Sequence, residues 1–327
     1  MTTQRAVLSS WTRRGPGWAV VARKEFTDHI LSGRFVALLV VLGLVALASV
    51  YAAAGALRDV APNTEGVEGL FLRLFTVQGD PVPFSFLTFL GFLAPILGIA
   101  YGFDAVNGER AQGTLPRLVS QPIHRDDVIN GKYVAGLSVV GLTMVVVTVI
   151  VAGLGIVLLG IVPTLAEVTR LVVWMFAAII YVGVWLAFAT LCSVWMRRAS
   201  TSAMVAIGTW LTLVLFGALF AQLAADALSP VDPADPQSGL DNAQMEVALA
   251  RISPVVLYEE TATALLNPEV RSLGLVTLDQ VDRAIVSELT ITQSMLLVWP
   301  QLVGLIAITV VVFALAYIAF MRQEVRA

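Results

Sequence analysis

Residues Tyr101 to Gly136 read YGFDAVNGERAQGTLPRLVSQPIHRDDVINGKYVAG, a charged stretch between two long apolar runs, 81–103 and 133–166. Each run carries no Asp, Glu, Lys or Arg for at least the 20 or so residues that a helix needs to cross about 30 Å of hydrocarbon. The stretch between them must therefore emerge on one side of a membrane. The same reading, extended outward, finds four more uncharged windows at 35–57, 171–196, 199–225 and 289–321.

Six transmembrane helices follow, with cores predicted at 35–57, 84–105, 134–162, 170–195, 203–225 and 297–321. The fold class is all-α and polytopic. Composition agrees: of 327 residues, 58% are apolar and 13% charged, a balance outside that of soluble domains. The first run is full span length and is preceded by Arg13, Arg14, Arg23, Lys24, Glu25, Asp28 and Arg34, so it reads as a retained helix rather than a cleaved signal.

An even number of spans puts both termini on one side. That side holds fourteen of the 20 Lys and Arg residues; the other holds six, in longer loops, with sixteen of the 23 acidic residues. The bias predicts cytoplasmic termini in a multi-pass plasma-membrane protein. The net charge of −3 gives no nucleic-acid surface, and no nucleic-acid partner is expected. The single Cys192 excludes a disulfide framework.

Outside the spans, residues 1–34 form a terminal segment in which 17–34 put Trp18, Ala22, Phe26 and Ile30 on one stripe, as in a helix lying at the interface. Residues 106–132 form the substantial loop on the side of the termini. Residues 226–296 form an outer region before span six and the tail, 297–327. Within it PVDPADPQSG (230–239) reads as a connector. Ser253-Pro254 starts a helix that Asn267-Pro268 stops, and Thr277 and Gln280 make a capping-box pattern for a second. Pro95 and Pro300 are expected to kink spans two and six.

Several chemistries are missing. No GxxxxGK[ST], HExxH or GxSxG occurs, and the only histidines are His29 and His124, so no catalytic set or metal site is expected. The spans hold almost no ionisable residue, with Asp104 and Asp226 at their ends, which argues against an ion relay. Neutral polar groups such as Thr88, Thr143, Tyr181, Thr190 and Gln222 suit hydrogen bonds that pack helices.

The loop is then the informative element. It leaves span two through Asn107-Gly108, carries Glu109 and Arg110, and turns at Gly113 and Thr114. A short helix predicted from Pro116 exposes Leu115, Leu118 and Val119 until Gln121-Pro122 breaks it. Arg125, Asp126 and Asp127 then open a helix into span three. Two readings fit: a docking ridge for a soluble partner, or a loop packed on its own bundle.

The pattern E-R-x-x-G-T-L-x-x-L-x-x-x-P-x-x-R followed by G-K, here Glu109, Arg110, Gly113, Thr114, Leu115, Leu118, Pro122, Arg125, Gly131 and Lys132, resembles the signature of permease subunits of type-2 ATP-binding-cassette (ABC) transporters. Pro116 departs from the polar residue expected there. ARKEF (22–26), GFDAVNGER (102–110) and ISPVVLYEETATALLNP (252–268) look most like the copper-processing permeases that serve nitrous oxide reductase maturation.

The resemblance implies a permease dimer, here a homodimer, over two separate ATPase subunits that hold ATP and Mg. No cofactor is bound by this chain. The loop becomes the coupling helix, with a coupling role for Glu109 and Arg110, and transport is outward. An extracytoplasmic partner is a further expectation. The alternative is an ATP-driven scaffold that releases such a partner without transport. Copper(I) would need clustered Cys, Met or His, which this chain lacks, so the subunit is not expected to carry it directly.

Overall fold

The computed structural model describes residues 16–58, 69–78, 80, 82, 84–114, 124–274 and 289–323. Among them are eleven helices and no strand. They are α1 (Gly17–Ile30), α2 (Gly33–Arg58), α3 (Leu70–Thr76), α4 (Phe86–Gly102), α5 (Asn107–Ala111), α6 (Arg125–Leu159), α7 (Leu165–Trp195), α8 (Ala199–Leu228), α9 (Pro236–Ala250), α10 (Pro254–Leu266) and α11 (Ile291–Arg322). Six helical stretches are long and apolar enough to cross a membrane: α2, α4 continued through α5, α6, α7, α8 and α11.

Helix α7 is the centre. It packs against α4, α6, α8, α10 and α11, and 61% of its most apolar window is buried, against 11% for α8 and α11 on the periphery. Trp174, Tyr181 and Trp185 fill the core from this helix. Tyr181 stacks on Tyr258 of α10 with ring centroids 4.3 Å apart and planes 6° from parallel, and its hydroxyl donates to the Gly91 carbonyl of α4 at 3.1 Å. Thr143 and Thr190, expected to bond between helices, instead donate to carbonyls one turn back on their own helices.

The α4–α7 contact depends on small residues. A Cβ on Gly102 would lie 2.7 Å from the Leu186 carbonyl, and one on Gly98 would lie 2.6 Å from that of Val182. Both neighbours are backbone and cannot yield without moving the helices apart. Gly102→Ala is expected to cost about 1–3 kcal/mol through overpacking, read as a lower melting temperature in detergent. An unchanged melt would contradict this contact.

Several elements differ from the sequence reading. Helix α3 was not anticipated, being seven residues long and broken by Arg73, yet Leu70, Phe71, Leu72, Leu74 and Phe75 are all buried. The Phe71 N–H donates to buried Glu167 at 3.0 Å, and Glu167 forms a capping box with Thr164 at the start of α7. Helix α9 begins inside the predicted connector, where Asp235 accepts from the Gln237 N–H and Pro236 takes the first turn. Helix α10 lies where Ser253-Pro254 and Asn267 placed it, while the predicted helix after Thr277 falls outside the described residues. Helix α11 starts at Ile291, earlier than predicted, with a Thr290–Gln293 capping box. Pro95 and Pro300 sit within helices that continue through them.

The inward face of α1 keeps Phe26 and Ile30 of the predicted stripe against the core but adds two residues outside it. Val21 and Glu25 point inward, whereas Trp18 is 41% exposed. The reason is electrostatic: Glu25 has a buried partner on α6.

Candidate functional site at the charged end of the bundle

Helix α1, the end of α4, α5, the start of α6 and the end of α11 meet at the end of the bundle that carries the described termini. After Gly102 the chain turns. The Val106 and Asn107 N–H groups donate to the Ser193 hydroxyl of α7 at 2.9 and 3.1 Å. That anchor fixes α5, one and a half turns long, which sends Glu109 and Arg110 to different partners.

Glu109 faces α6. Its carboxylate accepts from the Thr114 hydroxyl and from Lys132 Nζ at 3.3 Å, while the backbone N–H of Thr114 returns to the Glu109 carbonyl after a left-handed turn at Gly113 (φ 67°). Lys132, whose side chain is 7% exposed, also pairs with Glu25 of α1 at 3.0 Å. Lys24 adds pairs to Glu25 at 3.3 Å and to Asp28 at 3.2 Å.

Gly131 explains the other half of the G-K dipeptide: a Cβ there would lie 2.6 Å from Val21 Cβ and 2.8 Å from the Trp18 carbonyl. Glycine admits α1 and lysine then pairs with it. Asp127 completes the joint, accepting from the Trp18 N–H at 2.9 Å and from the His124 N–H at 3.2 Å.

Arg110 and Arg125 face α11. Arg110 donates to the Gln323 side chain at 2.5 Å. Arg125 donates to the Gln323 carbonyl at 2.8 Å and lies over the Phe320 ring at 5.6 Å. Gln323 in turn donates to the Val194 carbonyl at 2.5 Å. The two ends of the loop are thereby tied to the last helix and to α7.

Of the predicted site residues, Glu109 thus meets Lys132 and, across the Gly113 turn, Thr114, and Arg110 and Arg125 come together around Gln323. Leu115, Leu118 and Pro122, with Pro116 and Val119, lie outside the described residues. Glu25 and Gln323 had no assigned role. Glu25 stood in the quoted ARKEF segment, but its partner lies far away in the chain; Gln323 carried no local signal.

Beside this network Arg34 of α2 pairs with Asp104 at 2.6 Å, and His29 packs edge-on against Tyr101 at 5.0 Å. Burial holds the His29 imidazole below its ordinary range; Glu25 and Asp104 oppose that shift, and Lys132 and Arg34 reinforce it. No group of three or more His, Cys, Asp or Glu among the described residues is placed to hold a metal ion. The arrangement is a set of ion pairs and caps joining a loop to three helices.

Among curated proteins no sequence matches this chain. The family described as ABC-2 family transporter protein matches residues 19–325, from the first turn of α1 to beyond the end of α11. That span takes in all six apolar crossings and the whole loop, and the chain belongs to this family of multi-pass membrane permeases.

Proposed function

We propose that this chain couples ATP hydrolysis, performed with Mg on a separate ATPase subunit, to outward movement of substrate through a dimer of two copies, with its termini and the 113–124 loop in the cytoplasm. The single observation that carries the reading is the bracing of the loop. Glu109 and Thr114 join its first end to α6 and α1 through Lys132; Arg110 and Arg125 join both ends to α11 through Gln323. A push on the segment between them reaches three helices at once instead of being absorbed by a slack loop. Leu115 and Leu118 are the apolar groups offered to the ATPase, and Pro122 ends the docking element.

Within the family we place the chain nearest the copper-processing permeases. Two of the segments that support this, ARKEF and GFDAVNGER, meet at the Glu25–Lys132–Glu109 cluster; the third is α10. Copper(I) itself is not the substrate of this reading, since the chain has one cysteine, Cys192, and two histidines and so no soft ligand cluster. The distal helices favour a second reading. Helix α9 leaves Leu240 43% exposed, a surface on which an extracytoplasmic protein could sit and be released without transport. Vesicles in which ATP changed partner binding but moved no substrate would select that reading.

The coupling assignment is tested by Leu115→Asp combined with Leu118→Asp. Two charges placed in an apolar contact are expected to abolish co-purification of the ATPase, while the melting temperature of the permease alone stays at the wild-type value. Survival of the complex would overturn the assignment.

A further inference from the structure

A cavity of about 170 Å³ opens beside the coupling network, bounded by α1, the start of α2, the end of α4 and the side of α6. Its level in the membrane is set by what surrounds it. Arg34 is in the first turn of α2, Tyr101 in the last turn of α4, and Leu31, in the turn between α1 and α2, is 79% exposed with Trp18 of α1 also open. An exposed apolar residue at that turn, with charged walls behind it, marks head-group depth.

The walls carry both signs. Glu25, Asp104 and Glu109 provide three carboxylates, and Arg34 and Lys132 provide two permanent cations. Burial disfavours the charged form of the His29 imidazole, and among the lining residues carboxylates outnumber the Lys and Arg cations by three to two. Lys132 spends its charge on Glu25 and Glu109, which leaves Arg34, half-exposed and paired through one nitrogen to Asp104, as the cation open to a ligand. The Tyr101 hydroxyl is buried and has no hydrogen-bond partner among the described residues. A simple anion would meet the excess carboxylates, and a simple cation would meet Arg34.

We infer that this cavity binds a zwitterion with a phosphate and a primary ammonium, the head group of an ethanolamine phospholipid, with phosphate on Arg34 and ammonium on Asp104 and its neighbouring carboxylates. The volume matches: a protein cavity of about 150 Å³ holds a molecule the size of benzene, so a head group fits and an acyl chain stays outside in the bilayer. A choline head group presents no N–H to the carboxylates, and a glycerol head group presents no cation.

The test is native mass spectrometry of the detergent-solubilised protein with matched phosphatidylethanolamine, phosphatidylcholine and phosphatidylglycerol. The wild type is expected to retain the ethanolamine lipid about tenfold more than the other two, the effect of one charge-assisted hydrogen bond. Asp104→Asn should erase the preference over the choline lipid, and Arg34→Gln should weaken retention of both zwitterions. Soluble phosphoethanolamine that displaces the lipid would show that the head group suffices; failure to displace it, with the preference intact, would assign the site to the lipid alone.

A photoreactive ethanolamine-head-group lipid on the wild type gives a readout that does not depend on how the variants fold, and labelling is expected within 101–112. Equal retention of all three lipids, an unchanged preference in a folded Asp104→Asn protein, or labelling only elsewhere would overturn the inference.

Discussion

Lys132→Met is expected to destabilise the permease by about 3–5 kcal/mol, because it removes one partner of a buried charge set and leaves Glu25 and Glu109 facing each other. The lysine is 7% exposed and 3.0 and 3.3 Å from the two carboxylates, which are themselves 11% and 20% exposed. Lys24 stays beside Glu25 and the Thr114 hydroxyl beside Glu109, so the loss should fall at the lower end of that range. Removing one stranded charge as well, in Lys132→Met/Glu25→Gln, should recover part of it. The melting temperature measures the first effect. Hydrogen exchange locates it, and should rise in α1 and the start of α6 but not in α10. A single variant that melts with the wild type would show that the cluster holds nothing together.

The second large effect is expected at the opposite end. Arg170 is 4% exposed in the second turn of α7. It donates to the Leu265 carbonyl at 3.2 Å, the Ser294 hydroxyl at 2.9 Å and the Leu289 carbonyl. One guanidinium thus joins α7 to the end of α10 and the start of α11. Arg170→Met keeps much of the volume but leaves these acceptors without their donor, at about 1–3 kcal/mol for each buried group left unpaired. A total loss of about 3–5 kcal/mol is expected, with exchange rising across α10 and unchanged in α1. The two sites lie at opposite ends of the bundle, and among the described residues the bonds named for each run to different partners, so the double variant should lose the sum of the two effects to within about 0.5 kcal/mol. Faster exchange in α1 from Arg170→Met would contradict the separation of the two ends.

The same pair of residues shows what the sequence could and could not tell. The six crossings were legible because a membrane excludes charge, and charge-free runs of span length are visible without any tertiary knowledge. Arg170 opens the predicted 170–195 core, at the edge of a charge-free window, and nothing local names its partners. In the fold its guanidinium is received by carbonyls and a hydroxyl from two other stretches of chain. Helix α3 escaped notice because seven residues are too few to show a period. Helix α9 was hidden by the density of Pro230, Pro233 and Pro236, although Asp235-Pro236 is a sound helix start.

At the candidate site the residue types were visible but the pairing was not. Glu109, Thr114 and Lys132 stood in the recognised pattern, yet the sequence offered no reason for Glu25 to face inward on α1. A carboxylate is counted as polar until its buried lysine is found, so Glu25 was left off the inward face, which holds Val21 and Glu25 beside Phe26 and Ile30 of the predicted stripe. Gln323 takes part through both its side chain and its carbonyl, a role no local pattern announces.

We propose that a separate ATPase drives this permease through the loop between Gly113 and His124. The direct measurement is to purify the tagged chain in mild detergent from its native host, identify its companions by mass spectrometry and assay the preparation for ATP hydrolysis. A stoichiometric ATPase carrying a Walker motif is expected, together with hydrolysis that the Leu115→Asp/Leu118→Asp protein fails to recover. A chain that emerges alone, without hydrolysis and without a cytoplasmic partner after crosslinking, would contradict it.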